Sequence, residues 1–97
     1  MKNDVEKYTY RQFLNRPGFE SSAMIYADAS RHEWRGNVTL GGQLKITDCS
    51  RSINLSLVGD NQAEVDNTIF KLRRIEKVAR ELRQLYEASR DDVAPEE

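Results

Sequence analysis

The stretch LGGQLKITDCSRSINLSL, residues 40–57, decides the fold of this chain. Apolar and polar side chains alternate along it, which is typical of strands that bury one face. The glycine pair within Gly41-Gly42-Gln43 indicates a hairpin turn, in which Leu40 pairs with Leu44 and apolar side chains stay on one face. The stretch therefore predicts consecutive antiparallel strands.

The same stretch contains the only cysteine of the chain, Cys49. Pairing Ile46 with Leu55 makes residues 49–52 the connection of a second hairpin, and serine suits such a turn because its hydroxyl bonds nearby backbone N–H groups. The alternative is a reactive thiol, which needs an electropositive and partly exposed setting. Arg51 is the only nearby cation in sequence, so we interpret Cys49 as a loop residue.

Residues before this stretch extend the predicted sheet. SSAMIYADA, residues 21–29, alternates in a way that predicts a strand. The polar segment SRHEWRGN, residues 30–37, predicts a loop that leads into a further strand at residues 34–40. Counting alternate positions places Trp34 on the same face as Leu40, which predicts that the indole points inward.

The N-terminal segment YTYRQFLNRPGF, residues 8–19, carries local helix signals. Thr9 can cap a helix of one or two turns, and the Arg16-Pro17-Gly18 sequence would end it. The segment therefore predicts a short N-terminal helix.

After residue 60 the apolar period changes from two to that of an α-helix. Asn61 followed by Glu64 matches a capping box, which marks the helix start. A helix over residues 61–89 would be about 43 Å long, whereas a compact chain of this size is only about 32 Å across. We therefore expect the helix to extend past its own domain. Its apolar positions are Val65, Ile69, Leu72, Ile75, Ala79, Leu82 and Tyr86.

Together these elements predict an α+β fold: an antiparallel β-meander of about four strands, with a long C-terminal helix packed on one face and a short N-terminal helix. A chain of 97 residues has room for one core. We assign residues 1–90 to a single domain and the acidic end, residues 91–97, to a disordered tail.

The far end of the predicted helix is a candidate protein-binding surface. Leu82, Leu85 and Tyr86 widen the apolar arc beyond what one sheet contact requires. One interpretation is a broad core face with a frayed end. The other is that these residues pack against a second protein chain, which could be another copy, giving a homodimer, or a different target.

A second candidate for protein binding is the cluster Arg31, Trp34 and Arg35, because tryptophan and arginine most often anchor protein contacts. The alternative partner is nucleic acid. Arg73, Lys77 and Arg80 share one helix face and could meet phosphates. Glutamates spaced four residues from these cations favour an ordinary solvated face instead, and the net charge of -1 gives no overall attraction to polyanions.

Enzyme chemistry has little support in the sequence. His32 is the only histidine, and pairing it with Cys49 would require two predicted loops to meet. One histidine and one cysteine do not make a patterned metal site, and no phosphate-binding glycine motif is present. We predict no enzyme activity and no cofactor. Lacking a signal peptide or a membrane-spanning apolar run, the chain is expected to be cytoplasmic.

The strands of LGGQLKITDCSRSINLSL, followed directly by a capped amphipathic helix, resemble small proteins encoded by bacteriophages. The resemblance covers roughly residues 38–86. Proteins of this kind include host-takeover factors and anti-CRISPR inhibitors, which block a surface of a larger complex. The resemblance implies a small non-enzymatic protein-binding module, such as an inhibitor of a host complex like a CRISPR effector.

Overall fold

The computed structural model describes residues 4–16, 23–48 and 50–93 of the chain. Residues 94–97 of the predicted tail lie outside the described residues, so the assignment of residues 91–97 to a disordered tail stays a prediction. The elements are β1 Asp4–Phe13, β2 Met24–Trp34, β3 Asn37–Asp48, β4 Arg51–Ser56, α1 Gln62–Ser89 and a 3₁₀ turn at Arg90–Asp92.

The four strands form one antiparallel sheet in the order β1-β2-β3-β4. Tyr10 lies opposite Ala27, Ala27 opposite Leu44, and Leu44 opposite Leu55. Because directly paired side chains of antiparallel strands point the same way, this row crosses one face of the sheet. That face is apolar, whereas the other carries mainly polar side chains.

The predicted short N-terminal helix is wrong, since the segment forms β1 instead. Thr9 lies opposite Asp28 and Tyr10 opposite Ala27, so the backbone groups pair along β2 rather than within a helix turn. Aromatic and β-branched residues suit a strand, and Leu14 N–H continues the pairing with a 2.9 Å bond to the Ala23 carbonyl. Pro17 and Gly18, the predicted helix stop, lie outside the described residues.

The predicted hairpin at Gly41-Gly42 is also wrong, because β3 runs straight through both glycines. The chain reverses earlier, at Arg35 and Gly36, whose φ angles are 52° and 80°. Two such residues between paired Trp34 and Asn37 form the type I′ turn that the twist of β-hairpins favours. Trp34 therefore shares the polar face with Asn37, and its predicted inward position beside Leu40 is corrected.

The hairpin between β3 and β4 is shifted by two residues from the prediction. Ile46 pairs with Ile53 rather than Leu55, and Asp48 pairs with Arg51. Because side chains alternate with a period of two, this shift leaves every apolar residue on the predicted face. Cys49 lies outside the described residues.

Helix α1 begins at the predicted cap. Asn61 Oδ1 accepts a 3.0 Å hydrogen bond from Glu64 N–H, and Glu64 Oε1 accepts a 2.9 Å bond from Asp60 N–H. These bonds satisfy two backbone donors that lack partners within the helix or turn. The capping signal in the sequence therefore defines where the helix starts.

The prediction that the long helix packs on one face of the sheet is wrong. Thr68 Oγ1 donates a 2.6 Å bond to the Val58 carbonyl, and Lys71 Nζ donates a 3.0 Å bond to the Ser56 carbonyl. Among the described residues, no hydrogen bond joins the sheet to the helix beyond Lys71. The molecule measures 64 × 24 × 20 Å, and its radius of gyration is 17.9 Å, against about 12.5 Å for a compact chain of this length.

The projecting helix leaves the described part of the chain without a closed core. Ala23, 5% exposed, is its only buried hydrophobic residue, and large apolar side chains such as Ile53 remain exposed on the sheet. The apolar face of the sheet and the apolar side of α1 do not cover each other. Both surfaces are left open.

Candidate functional site

The main candidate site is the apolar stripe of α1, which we define as Leu72, Ile75, Val78, Ala79, Leu82, Leu85 and Tyr86. Leu82 is 54% exposed, Leu85 60% and Tyr86 75%. These three residues are the predicted binding residues of the helix end, and the structure places them together on the projecting part of α1. Apolar side chains so open to water are unusual in a folded monomer when they are contiguous.

Two shallow grooves follow the stripe. One, of about 390 Å³, lies along Ile75, Val78 and Leu82. The other, of about 620 Å³, is lined by Leu85, Tyr86, Ser89, Arg90 and Val93. Both are mainly apolar and open, which suits side chains of a protein better than an enclosed small molecule.

The stripe follows a heptad pattern. The sequence prediction used only the general helical spacing, which an ordinary amphipathic helix also has. In a coiled coil, apolar residues repeat every 3.5 residues at positions a and d. Positions b, c and f of α1 are polar with the exceptions of Ala63, Phe70 and Ala88, and the Arg74 guanidinium lies 4.6 Å from the centroid of the Phe70 ring. The a and d positions are Val65, Thr68, Leu72, Ile75, Ala79, Leu82, Tyr86 and Ser89.

The second candidate site is the β2–β3 hairpin tip, which we define as Trp34 and Arg35. The third predicted residue, Arg31, pairs with Leu40 and faces the apolar side of the sheet, whereas Trp34 pairs with Asn37 and faces the polar side. Trp34 is 48% exposed, and the Arg35 guanidinium lies 5.5 Å from its ring centroid. Arg31 Nη1 lies 3.2 Å from Glu33 Oε2. Arg35 itself has the left-handed backbone conformation, with a φ of 52°.

The hairpin tip and the apolar stripe are separate surfaces. Among the described residues, no hydrogen bond, ion pair or ring contact joins Trp34 or Arg35 to the stripe, whereas Arg31 and Leu72 line the same depression at the base of α1. The contacts between sheet and helix instead involve Val58 and Ser56, close to the base of α1. A partner that touches both surfaces would therefore have to span two parts of the molecule.

The three residues of the predicted basic face of α1 are all exposed. Lys77 Nζ lies 4.0 Å from Glu81 Oε1, a pair exposed enough to contribute little stability. Arg73 and Arg80 form no ion pair with any described residue. These two arginines point to the side of the helix opposite the apolar stripe, at position b of successive heptads.

Sequence reasoning missed the polar face of the sheet. An open depression of about 390 Å³ there is lined by Arg11, Met24, Tyr26, Gln43, Lys45 and Thr47. Beside it, Gln43 Nε2 donates a 2.9 Å bond to Asp28 Oδ2. These residues come from three strands, so only the register of β1, β2 and β3 could have brought them together.

The residues considered for enzyme chemistry do not assemble into a site in the described chain. His32 Nε2 lies 3.2 Å from Ser30 Oγ on an exposed strand surface, and Cys49 lies outside the described residues. Within residues 4–16, 23–48 and 50–93, no three His, Cys, Asp or Glu side chains cluster in a way that could hold a metal ion.

Comparison of the chain with protein families, with curated proteins and with solved structures found no match. In the part of the chain that the structure describes, no helix combines the length and the apolar character needed to cross a bilayer.

Proposed function

We propose that this chain is a small non-enzymatic protein-binding module whose contact surface is the apolar stripe of α1. The observation that supports this proposal is the exposure of Leu82, Leu85 and Tyr86 on a projecting helix.

The energetics favour a covered stripe. Fully burying a leucine or isoleucine side chain contributes about 1.5–3 kcal/mol. A described chain with one buried hydrophobic residue gains little of this term by itself. Covering the stripe with another protein surface would therefore supply both binding affinity and a large part of the free energy of folding.

The hairpin tip of Trp34 and Arg35 is proposed as a smaller, separate contact, without Arg31, which faces the other side of the sheet. The exposed indole with its stacked guanidinium resembles the aromatic and arginine anchors of protein interfaces. An inhibitory role against a host complex such as a CRISPR effector remains a prediction that rests on the sequence resemblance to small phage proteins.

Photo-cross-linking tests the proposal. Benzoylphenylalanine would replace Tyr86 on the stripe or Gln84 on the opposite side of α1, in cells of the source organism. We expect a cross-linked protein adduct from position 86 and little from position 84, because only the former faces a partner. Mass spectrometry of the linked peptides then identifies the partner chain.

Equal labelling from both positions, or no adduct from position 86, would contradict the proposal. Position 84 is a fair control because Gln84 lies on the same turn of α1 and is also exposed. A difference in cross-linking between the two positions therefore reports which side of the helix faces the partner. It does not report a difference in flexibility or in distance from the sheet.

A nucleic-acid-binding accessory role is the alternative, favoured by one observation: Arg73 and Arg80 have no ion-pair partner among the described residues. If Arg73, Lys77 and Arg80 contact phosphates, changing all three to Glu should abolish binding to single- or double-stranded oligonucleotides, and wild-type affinity should fall steeply with salt. Wild-type chain that shows no binding in fluorescence anisotropy at low salt rules this role out.

A further inference from the structure

We propose that the partner covering the apolar stripe is a second copy of this chain, and that the two α1 helices pair antiparallel as a coiled coil over residues 72–89. This inference rests on the proposed function, since it names the partner of the same surface. It adds an orientation and a register that the exposed side chains alone do not specify.

The pattern of α1 points to another helix as partner. Apolar residues at positions a and d with polar residues at b, c and f make a seam that matches an identical seam. The stripe keeps the alternating three- and four-residue spacing of a coiled-coil helix through Leu72, Ile75, Ala79, Leu82 and Tyr86.

The base of the helix decides the orientation. Val65 occupies an a position, but it packs beside Gly59, where an added Cβ would lie 3.1 Å from Val65 Cγ2. Thr68 occupies a d position and is bonded to the Val58 carbonyl. Both residues therefore contact their own sheet, and a parallel, in-register pair would place two such bases, each with its sheet, side by side at the same end. An antiparallel pair uses only the projecting part of α1.

In one antiparallel register, the side chains along the seam fit together in size. It places Ala79 against the partner's Leu82 and Ile75 against the partner's Tyr86, so that small and large residues alternate. Flanking the seam, Val78 meets the partner's Leu85, which extends the apolar contact beyond the a and d positions. All of these residues are exposed or only partly buried in the single chain.

The charges flanking the same register are complementary. Glu76 lies beside the partner's Arg83 on both sides of the two-fold axis, as e positions do in antiparallel coiled coils. Arg83 Nη1 already contacts Glu87 Oε1 at 2.8 Å. Its guanidinium has five N–H donors, so it can bond both carboxylates. Registers centred closer to Lys77 would instead oppose Glu76 to its own copy.

The ends of the two helices also have a contact surface in this register. In this register the partner's Ser89, the last residue of α1, comes level with Leu72, which lines an open depression of about 390 Å³ between α1 and the sheet. The depression is lined on its apolar side by Tyr8, Leu40, Leu57 and Leu72. The tip of each helix thus covers part of the open sheet face of the other copy.

The first experiment measures mass in solution. Light scattering on the purified full chain should give twice the mass of one copy. Leu82→Asp places an unpaired carboxylate in the seam and should weaken dimerisation at least about a hundredfold. Gln84→Asp, two residues away on the outer side, should leave the dimer intact. Circular dichroism of both variants checks that α1 is still helical.

The second experiment measures orientation. In a Cys49→Ser background, Ala79→Cys and Leu82→Cys chains are oxidised separately and as a mixture. Antiparallel pairing should give a disulfide-linked dimer only in the mixture, because residue 79 faces the partner's residue 82. Efficient linkage of either variant to itself indicates parallel helices and overturns the inference. Lys77→Cys serves as an outward-facing control.

The outcomes separate this inference from the proposed function. A chain that stays monomeric at all concentrations, while position 86 cross-links to a different protein, overturns the second copy as partner but leaves the protein-binding function standing. No adduct at position 86 together with a strict monomer overturns both. A mass of three or four copies also overturns the inferred two-helix arrangement.

Discussion

At the scale of single residues, two neighbouring glycines of β3 have different roles. A Cβ on Gly42 would overlap the Asp28 carbonyl oxygen and come within 2.8 Å of Ala29 Cα, whereas a Cβ on Gly41 would meet nothing within 4 Å. Gly42 therefore permits the close approach of β2 and β3, and Gly41 does not. The sequence predicts a turn at this pair, because nothing in it distinguishes one glycine from the other.

This difference predicts opposite effects of the same substitution. Gly42→Ala should lower the free energy of unfolding by at least about 2 kcal/mol, because strands β2 and β3 must separate locally. Gly41→Ala should be neutral or raise it by about 0.5–1 kcal/mol, since alanine loses less backbone entropy. Urea denaturation at one fixed protein concentration measures both. Similar losses of unfolding free energy in the two variants would instead support the hairpin turn at Gly41-Gly42 that the sequence predicts.

The turn at Arg35 and Gly36 gives a second residue-scale prediction. Both residues have positive φ, and asparagine tolerates that region better than arginine. Arg35→Asn should therefore raise the free energy of unfolding by about 0.5 kcal/mol, and Gly36→Val should lower it by about 1–2 kcal/mol. Thermal melts of the two variants beside wild type provide the comparison; a stabilising Gly36→Val would disprove the type I′ assignment.

At the scale of elements, α1 was predictable because its signals are local. The cap pair Asn61 and Glu64 and the apolar period both act within a few residues, and the structure satisfies both. The β1 segment carried competing local signals at Thr9 and Pro17, and its pairing with β2 outweighed them. The faces of β3 and β4 were predictable because an error of two residues preserves side-chain direction.

The cap itself can be tested. Asn61→Ala removes the acceptor of the Glu64 N–H bond and should lower the free energy of unfolding by about 1 kcal/mol. Asn67→Ala, on the exposed side of α1, should cause no loss because alanine favours helices. Hydrogen exchange at Glu64 should accelerate only in the first variant. Equal exchange in both would mean that the cap does not hold the helix start.

At the scale of the whole molecule, the position of the helix could not be read from the sequence. The same apolar arc can pack on the chain's own sheet or on another protein. Which of the two is possible depends on the connection between β4 and α1. Pairing between β3 and β4 continues to a bridge between Leu40 and Gly59, so α1 starts at the end of the sheet and only its base reaches the strands. The open stripe and the open sheet face follow from that connection.

Folding and association should therefore be linked. If the dimer supplies most of the buried surface, unfolding also separates the two copies, and a hundredfold rise in concentration should raise the melting midpoint by on the order of 5 °C. Leu82→Asp should melt lower and without concentration dependence. Differential scanning calorimetry over that range checks both. A wild-type midpoint independent of concentration would show that one copy is stable alone.

The order of strands in the sheet has a consequence for biosynthesis. Each strand pairs with the one translated just before it, so every hairpin can close while later residues are still inside the ribosome, and such short-range closure is fast. The helix is translated after all four strands. If the proposed dimer forms, the slow step in maturation is then a collision between two molecules, whose rate depends on how many are made at once.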